Sequence, residues 1–217
     1  HRDLHSFPTR RSSDLHDLDA GELLPGEYFG ATAAVRNRGT RPVKLVFNTS
    51  SLLGVTAPLP RAAVPEGGQI NLQLFVEAEG EAGTQRSGVL TIRTNHETQP
   101  NLPIAVRYRL HPGYSLSKGS VDLGLCDGGQ SRAVTINIAS TEAVEGDMVE
   151  SATLESLQNL TGEIRISQSS GSAALSLSLQ TGKNVGVMSA KLRLKLKGME
   201  RTVTVPIAGT VRAAPSP

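Results

Sequence analysis

The strongest constraint on this chain is an internal repeat. Leu-Asp-Ala-Gly at 18–21 is matched by Val-Asp-Leu-Gly at 121–124, and Leu-Pro-Ile-Ala at 102–105 is matched by Val-Pro-Ile-Ala at 205–208. Both pairs are 103 residues apart. Because self-similarity at a fixed period marks a repeated structural unit, the sequence predicts two modules of about 100 residues in tandem.

Apolar side chains in both halves recur at every second position, the period of a half-buried strand. Turn-forming sequences such as Asn-Arg-Gly at 37–39 and Ser-Ser-Gly at 169–171 separate these runs. Six or seven short strands in each half predict an all-β chain of two tandem immunoglobulin-like antiparallel β-sandwiches. The predicted core faces include Val43, Leu45 and Phe47; Ile70, Leu72, Leu74 and Val76; Ile164 and Ile166; and Leu175, Leu177 and Leu179.

The predicted domain organisation follows these runs. Residues 5–15 resemble the translation of a sequencing-library adapter, so we expect that 1–15 do not belong to the natural protein and that its true N-terminus is missing. The first sandwich is expected over 16–110 and the second over 120–212. A short linker with one proline and two glycines is expected over 111–119, and 213–217 form a tail.

The composition excludes several classes of partner. The chain has 22 Lys and Arg and 20 Asp and Glu, of which residues 1–15 hold three Arg and two Asp, which leaves 19 basic and 18 acidic side chains. Because this balance is near neutral and aromatic residues make up only 3%, we do not expect a nucleic-acid partner. The single cysteine, Cys126, cannot form an internal disulfide or a thiolate metal site. No stretch has the length of a membrane-spanning helix.

The sequence contains no catalytic signature. Gly-x-Ser-x-Gly, His-Glu-x-x-His and the Gly-Lys-Ser/Thr phosphate loop are all missing, and the glycines near Cys126 do not form a dinucleotide-binding fingerprint. The prediction is therefore a protein that is not an enzyme, with no catalytic residues, no cofactor and no small-molecule substrate.

Metal binding is also not expected. The histidines outside the adapter-like segment are His16, His96 and His111, and none is spaced with another as a pair of ligands. Glu77, Glu79 and Glu81 could converge on calcium, but the EF-hand pattern is missing and a solvated acidic loop explains them better.

One strand pattern predicts a candidate binding surface. Lys191, Arg193, Lys195 and Lys197 alternate with leucines, so a strand here would carry four cations on its outer face. Such a face could bind an anionic polymer, with an affinity that falls as salt rises. The alternative is that lysines on an exposed or edge strand prevent aggregation between sheets.

Three smaller features have plain explanations. Arg107 and Arg109 form a shorter version of the same basic pattern, and Phe75 is predicted to be exposed on the face opposite the core. The tripeptides that begin at Asn48 and Asn159 match the glycosylation sequon, and we interpret both matches as chance.

A family resemblance runs through the first module. Its pieces, in order, are Asp-Ala-Gly at 19–21 with Pro-Gly-Glu at 25–27, Val-Arg-Asn-Arg-Gly-Thr-Arg-Pro-Val at 35–43, Val-Pro-Glu-Gly-Gly at 64–68, Gly-Val-Leu-Thr-Ile-Arg-Thr-Asn at 88–95 and Leu-Pro-Ile-Ala-Val at 102–106. The module resembles the bacterial domain-of-unknown-function 1573 family, whose members belong with the Hydin-like, major-sperm-protein-like (ASH) immunoglobulin folds. A weaker second copy covers 116–212. The family's cysteine-rich step is not present at 49–54, so no thiol or metal role carries over.

The resemblance implies a secreted or periplasmic accessory module with no assigned chemistry. The first functional hypothesis is therefore a non-enzymatic extracytoplasmic module that engages a protein or an anionic envelope polymer through strand edges and loops. The alternatives are an intracellular Hydin-like scaffold and a pair of spacer domains from a larger enzyme whose catalytic part is missing.

Overall fold

The computed structural model describes residues 17–142 and 144–213, so the adapter-like segment 1–15, His16 and most of the predicted tail lie outside the described residues. Every regular element among the described residues is a β-strand. They group into two compact units, whose main parts are 29–110 and 111–213. The all-β prediction of two tandem immunoglobulin-like sandwiches is confirmed, and each unit is described in turn.

The described residues of the first unit form seven strands in two sheets. These are β1 Asp17–Leu23, β2 Tyr28–Arg36, β3 Leu45–Ser50, β4 Val55–Thr56, β5 Gln69–Glu77, β6 Gln85–Thr94 and β7 Asn101–Leu110. One sheet has the order β1-β7-β6-β3 and the other the order β2-β5-β4. Alternate side chains such as Leu72, Leu74, Leu90 and Ile92 are completely or almost completely buried and form the core.

In the part of the second unit that the structure describes, eight strands form two four-stranded sheets. These are β8 Tyr114–Leu116, β9 Val121–Asp127, β10 Ser131–Ser140, β11 Val149–Gln158, β12 Leu160–Ser169, β13 Ser172–Thr181, β14 Gly186–Leu196 and β15 Val203–Arg212. The orders are β12-β13-β10-β8 and β11-β14-β15-β9. Leu175, Leu177, Leu192 and Val205 belong to its core.

The sequence repeat corresponds to the same structural feature in β1 and β9, the strands that carry the repeated Asp-x-Gly. β1 runs parallel to β7, and β9 runs parallel to β15, so each unit departs from a purely antiparallel arrangement at this strand. Gly21 N–H donates to Asp19 Oδ1 at 2.9 Å, and Gly124 N–H donates to Asp122 Oδ1 at 2.8 Å. Both glycines have a positive φ, and the strand pairing shifts there. The repeated Asp-x-Gly therefore encodes the same β-bulge twice.

A second bulge overturns the predicted core position of Phe47. The register of β3 against β6 shifts between Leu45, opposite Thr94, and Phe47, opposite Arg93. The extra residue turns Phe47 to the face opposite Leu45, because a one-residue slip reverses the side-chain alternation. Phe47 is 48% exposed, and the Arg93 guanidinium lies 5.8 Å from the centre of its ring.

The second unit includes a segment from the N-terminal part of the chain, Leu24–Tyr28. Leu24 belongs to the core of this unit. Leu116 N–H donates to Pro25 O at 2.8 Å. The buried Glu27 carboxylate accepts from Leu24 N–H at 2.8 Å and from Arg201 Nη1 at 2.7 Å. These bonds hold the segment in the unit.

The stretch predicted as a linker, 111–119, lies in the second unit and contains β8. β8 pairs antiparallel with β10, with Tyr114 opposite Ser140. The proline and glycines that suggested a linker flank this short strand, so the local composition concealed a strand that forms through a distant partner.

Candidate functional site

The basic strand is β14, which lies between β11 and β15 in its sheet. It is therefore a central strand, and the explanation of its lysines as protection for a sheet edge is wrong for this position. Lys191 is only 7% exposed. Its neighbours on β11 and β15 are Glu155 and Pro206.

The other three cations of the basic strand already have contacts within the unit. The Arg193 guanidinium lies 2.8 Å from Glu155 Oε2. Lys195 Nζ donates to Met199 O, and Lys197 Nζ donates to Glu145 O. Lys197 is the member of the set that is exposed. Lys191, Arg193 and Lys195 thus lie on β14, whereas Lys197 follows its last residue, and the four side chains do not form a uniformly exposed row.

The shorter basic pattern in the first unit is paired as well. Arg107 Nε donates to Asp19 Oδ2 at 3.1 Å across the parallel pair of β7 and β1. Arg107 and Arg109 line a shallow groove with Asp19 and Glu22. Because acidic side chains share the groove, its charge is mixed.

Phe75 was predicted to be exposed, and the structure corrects this. It is half-buried on β5, opposite Thr56 of β4. The pairing with β4 covers a side chain that the alternation alone assigns to the solvent face.

The remaining sequence candidates have structural roles. Cys126 is buried in the core, where its thiol donates to Leu123 O. His96 Nδ1 accepts from Gln99 N–H, and His111 Nδ1 accepts from Gly113 N–H, so both rings support turns. Among the residues that the structure describes, no three side chains of His, Cys, Asp or Glu lie close enough to hold a metal ion, Glu77 and its neighbours included.

Both sequon asparagines use their amide nitrogens inside the fold. Asn48 Nδ2 donates to Ala57 O at 2.7 Å, and Asn159 Nδ2 donates to Asn184 O. A glycan would have to be attached to this same nitrogen, at the expense of the hydrogen bond.

One edge of the second unit is formed by strand β12. It is the first strand in the order β12-β13-β10-β8, and it pairs with β13 over all ten of its residues without a register shift. A two-residue turn joins them, with Ser169 opposite Ser172. Such a length of unbroken edge is the arrangement onto which another strand can add.

The turn fixes which backbone groups of β12 point outward. Residues that flank a two-residue turn exchange both hydrogen bonds, and the pattern alternates along the strand. Gly182 N–H donates to Asn159 O at 2.9 Å, in agreement with this alternation. The odd-numbered residues of β12 therefore bond to β13. Leu160, Gly162, Ile164, Ile166 and Gln168 direct their N–H and C=O groups to the open side.

The inner face beside this edge is only partly covered. Ile164 is half-buried against the core, and Ile166 is 41% exposed although both were predicted to lie in the core. A Cβ at Gly162 would lie 3.2 Å from Leu154 Cδ2, so this face of β12 packs toward β11 of the other sheet. Gln168 Oε1 accepts from Val149 N–H at 2.8 Å and joins the two edge strands at one end.

The outer face of β12 carries one acid and one base. Glu163 lies opposite Ser178 and Arg165 opposite Ser176 on β13. Both side chains are exposed, and neither makes an ion pair with another described residue. Sequence reasoning found the alternation and the turn but missed these two residues. The signal was a ten-residue run without proline next to a two-residue turn.

No family model matches the chain, and no curated protein matches it. No helix in the described part of the chain has the length and apolar character needed to cross a membrane.

Among solved structures, a protein of unknown function from Porphyromonas gingivalis W83 is 13% identical with a TM-score of 0.35, and the match covers 87% of this chain and 94% of that one. Titin Ig tandem domains A164-A165 are 12% identical with a TM-score of 0.28, over 92% and 95%. The endo-fucoidan hydrolase MfFcnA4 of glycoside hydrolase family 107 is 12% identical with a TM-score of 0.32, over 92% of this chain but 28% of that enzyme. These identities and TM-scores are too low to support a conclusion about the function of this chain.

Proposed function

We propose that this chain is a non-enzymatic binding module that accepts an extended segment of a partner protein along the free edge of β12. The observation that carries the proposal is the ten-residue edge itself, whose even-numbered residues direct backbone donors and acceptors outward. Main-chain hydrogen bonds would supply affinity, and the half-covered Ile164 and Ile166 would select apolar side chains at alternate positions.

A protein partner is favoured over an anionic polymer because of the state of the basic strand. Lys191 is buried, and Arg193 is neutralised by Glu155. A polymer would need these cations to be accessible in a row. The polymer hypothesis predicts that replacing Lys191, Arg193, Lys195 and Lys197 by Gln lowers the salt concentration at which the protein elutes from heparin. Our proposal predicts nearly unchanged elution.

The proposed location is extracytoplasmic, and its support is the family resemblance of the first module. Sequencing the gene across the junction between residues 15 and 16 tests this part. A secretory signal or lipid-attachment signal upstream supports it. A start codon close to the junction would favour the intracellular scaffold instead.

The edge proposal is tested by selecting peptides from a displayed random library on the full chain. We expect the selected peptides to alternate apolar and polar residues and to lose binding to Ile166→Pro, which removes an outward N–H. Phe47→Ala is the matched control, because it removes an exposed apolar side chain in the first unit. Selected peptides that bind Ile166→Pro as tightly as the parent would overturn the proposal.

A further inference from the structure

The order of charged and apolar side chains along the edge of β12 indicates which strand would pair with it. Its side chains carry opposite charges two residues apart, Glu163 and Arg165, with Ile164 between them. Two antiparallel copies of one strand are related by a twofold axis, so each side chain meets its partner at a mirrored position. A strand of this kind can be complementary to itself.

We propose that the strand that adds to β12 is β12 of a second copy of this chain, antiparallel and centred on Ile164. This inference rests on the proposed use of the edge and names its partner. Ile164 directs its N–H and C=O outward, so Ile164 of both copies can form a hydrogen-bonded pair at the centre. Gly162, Ile166 and the other outward residues continue the ladder on either side.

The charges select this register. Centred on Ile164, the pairing sets Glu163 opposite Arg165 of the second copy, and the symmetry repeats the contact. These two positions form a non-hydrogen-bonded pair on the new ladder, with Cα atoms about 4.5 Å apart, where side chains approach most closely. Centring on Glu163 or on Arg165 would instead set like charges opposite each other, which is destabilising.

The apolar face of β12 fits the same register. Gly162 lies opposite Ile166 of the second copy. Ile164 lies opposite Ile164. The pairing would cover Ile166, which is 41% exposed in the single chain, and it would extend one half-covered apolar face into the next.

The free edge of β12 also lacks several of the usual protections against such pairing. β12 has no proline and no lysine, and its ten residues contain no bulge against β13. Natural proteins use these devices on edges that must remain unpaired. Their absence from β12, together with its charge pattern, favours a specific pairing with itself.

The test is the molar mass of the full chain in solution, measured by light scattering after size exclusion at low salt. We expect a dimer for the parent and a monomer for both Glu163→Arg and Arg165→Glu, each of which sets two like-charged pairs opposite each other. Because the two variants carry opposite charge at both positions, their equimolar mixture should regain the dimer. Loss of affinity should be at least about tenfold for each variant alone.

Three results would overturn the inference. These are a monomeric parent at several hundred micromolar, a dimer that persists in both single variants, or a mixture that stays monomeric when the parent dimerises. Both substitutions are on exposed side chains, so circular dichroism and thermal unfolding should match the parent. The peptide selection separates the two proposals, since peptides sensitive to Ile166→Pro on a monomeric parent support the edge and reject the second copy.

Discussion

β4 and β12 occupy the same place in the two repeats, but they differ in length and in the prolines that limit pairing at a sheet edge. Each is an edge strand beside the matching strands β5 and β13. β4 has two residues, and Pro58 and Pro60 follow within the next four. β12 has ten residues and no proline. The repeat has kept the core and changed the edge, so the difference between the units lies where a partner strand would add.

The first prediction tests whether the two cores are as alike as the repeat implies. Leu72 and Leu175 are 103 residues apart and almost fully buried. Leu72→Ala and Leu175→Ala should each lower the free energy of unfolding of their own unit by about 3–5 kcal/mol. Denaturant unfolding of each variant measures this. A loss below about 1 kcal/mol in one unit alone would break the comparison between the cores.

The second prediction tests the direction of the backbone groups on β12. Ser167→Pro removes an N–H that bonds to β13 and should lower the free energy of unfolding of the second unit by roughly 2–3 kcal/mol. Ile166→Pro removes an outward N–H, and its cost should be about 1 kcal/mol. Chemical denaturation of both variants gives the difference. Equal losses would mean that the two residues have been assigned to the wrong sides.

The third prediction sharpens the contrast between the outer faces. Arg93 on β6 lies over the ring of Phe47, whereas Arg193 on β14 is paired with Glu155. Phe47→Ala should cost about 0.5–1 kcal/mol at any ionic strength. Glu155→Gln should cost about 0.3–0.5 kcal/mol at low salt and almost nothing at 1 M salt. Unfolding at two salt concentrations separates them, and a salt dependence in Phe47→Ala would contradict this account.

The smallest predicted effect concerns the exposed ion pair between Asp127 and Arg212 in the second unit. The hydrogen bond and charge of Arg212 hold the pKa of the Asp127 carboxyl below its usual value of 3.8. A lowered pKa in the folded state stabilises the fold above the unfolded-state pKa, and this contribution is lost as pH falls through the folded-state pKa. Arg212→Gln should therefore raise the pKa of Asp127, as measured by NMR titration. Arg107→Gln, in the exposed pair of Arg107 and Asp19 in the first unit, is the control and should leave it unchanged.

The sequence predicted the features that depend on local period. The core faces of β5 and β13 follow directly from alternation, and the repeated Asp-x-Gly marks equivalent positions in β1 and β9. The exposure of Phe47 was not predicted, because one additional residue in β3 reverses the two faces of the strand and the alternation alone does not reveal a bulge.

The candidate edge could not be predicted because strand order is a long-range property. Alternation shows that 160–169 form a strand, but not that one side of it is open. The same limit applies to Lys191. Its burial in a central strand depends on β11 and β15, and β11 lies more than thirty residues earlier in the sequence.

The segment Leu24–Tyr28 has a consequence for the order of events during synthesis. It leaves the ribosome before residues 29–110, yet it belongs to the second unit, which needs residues 111–213 to form. At about 5–20 residues per second, roughly 4–16 s pass before residue 111 is made. During that time the first unit can fold, while Leu24 and the carboxylate of Glu27 remain hydrated. The second unit is therefore completed only when Leu24–Tyr28 joins residues that lie more than eighty positions later in the chain. Because such a long loop must close, its folding rate should be the slower of the two.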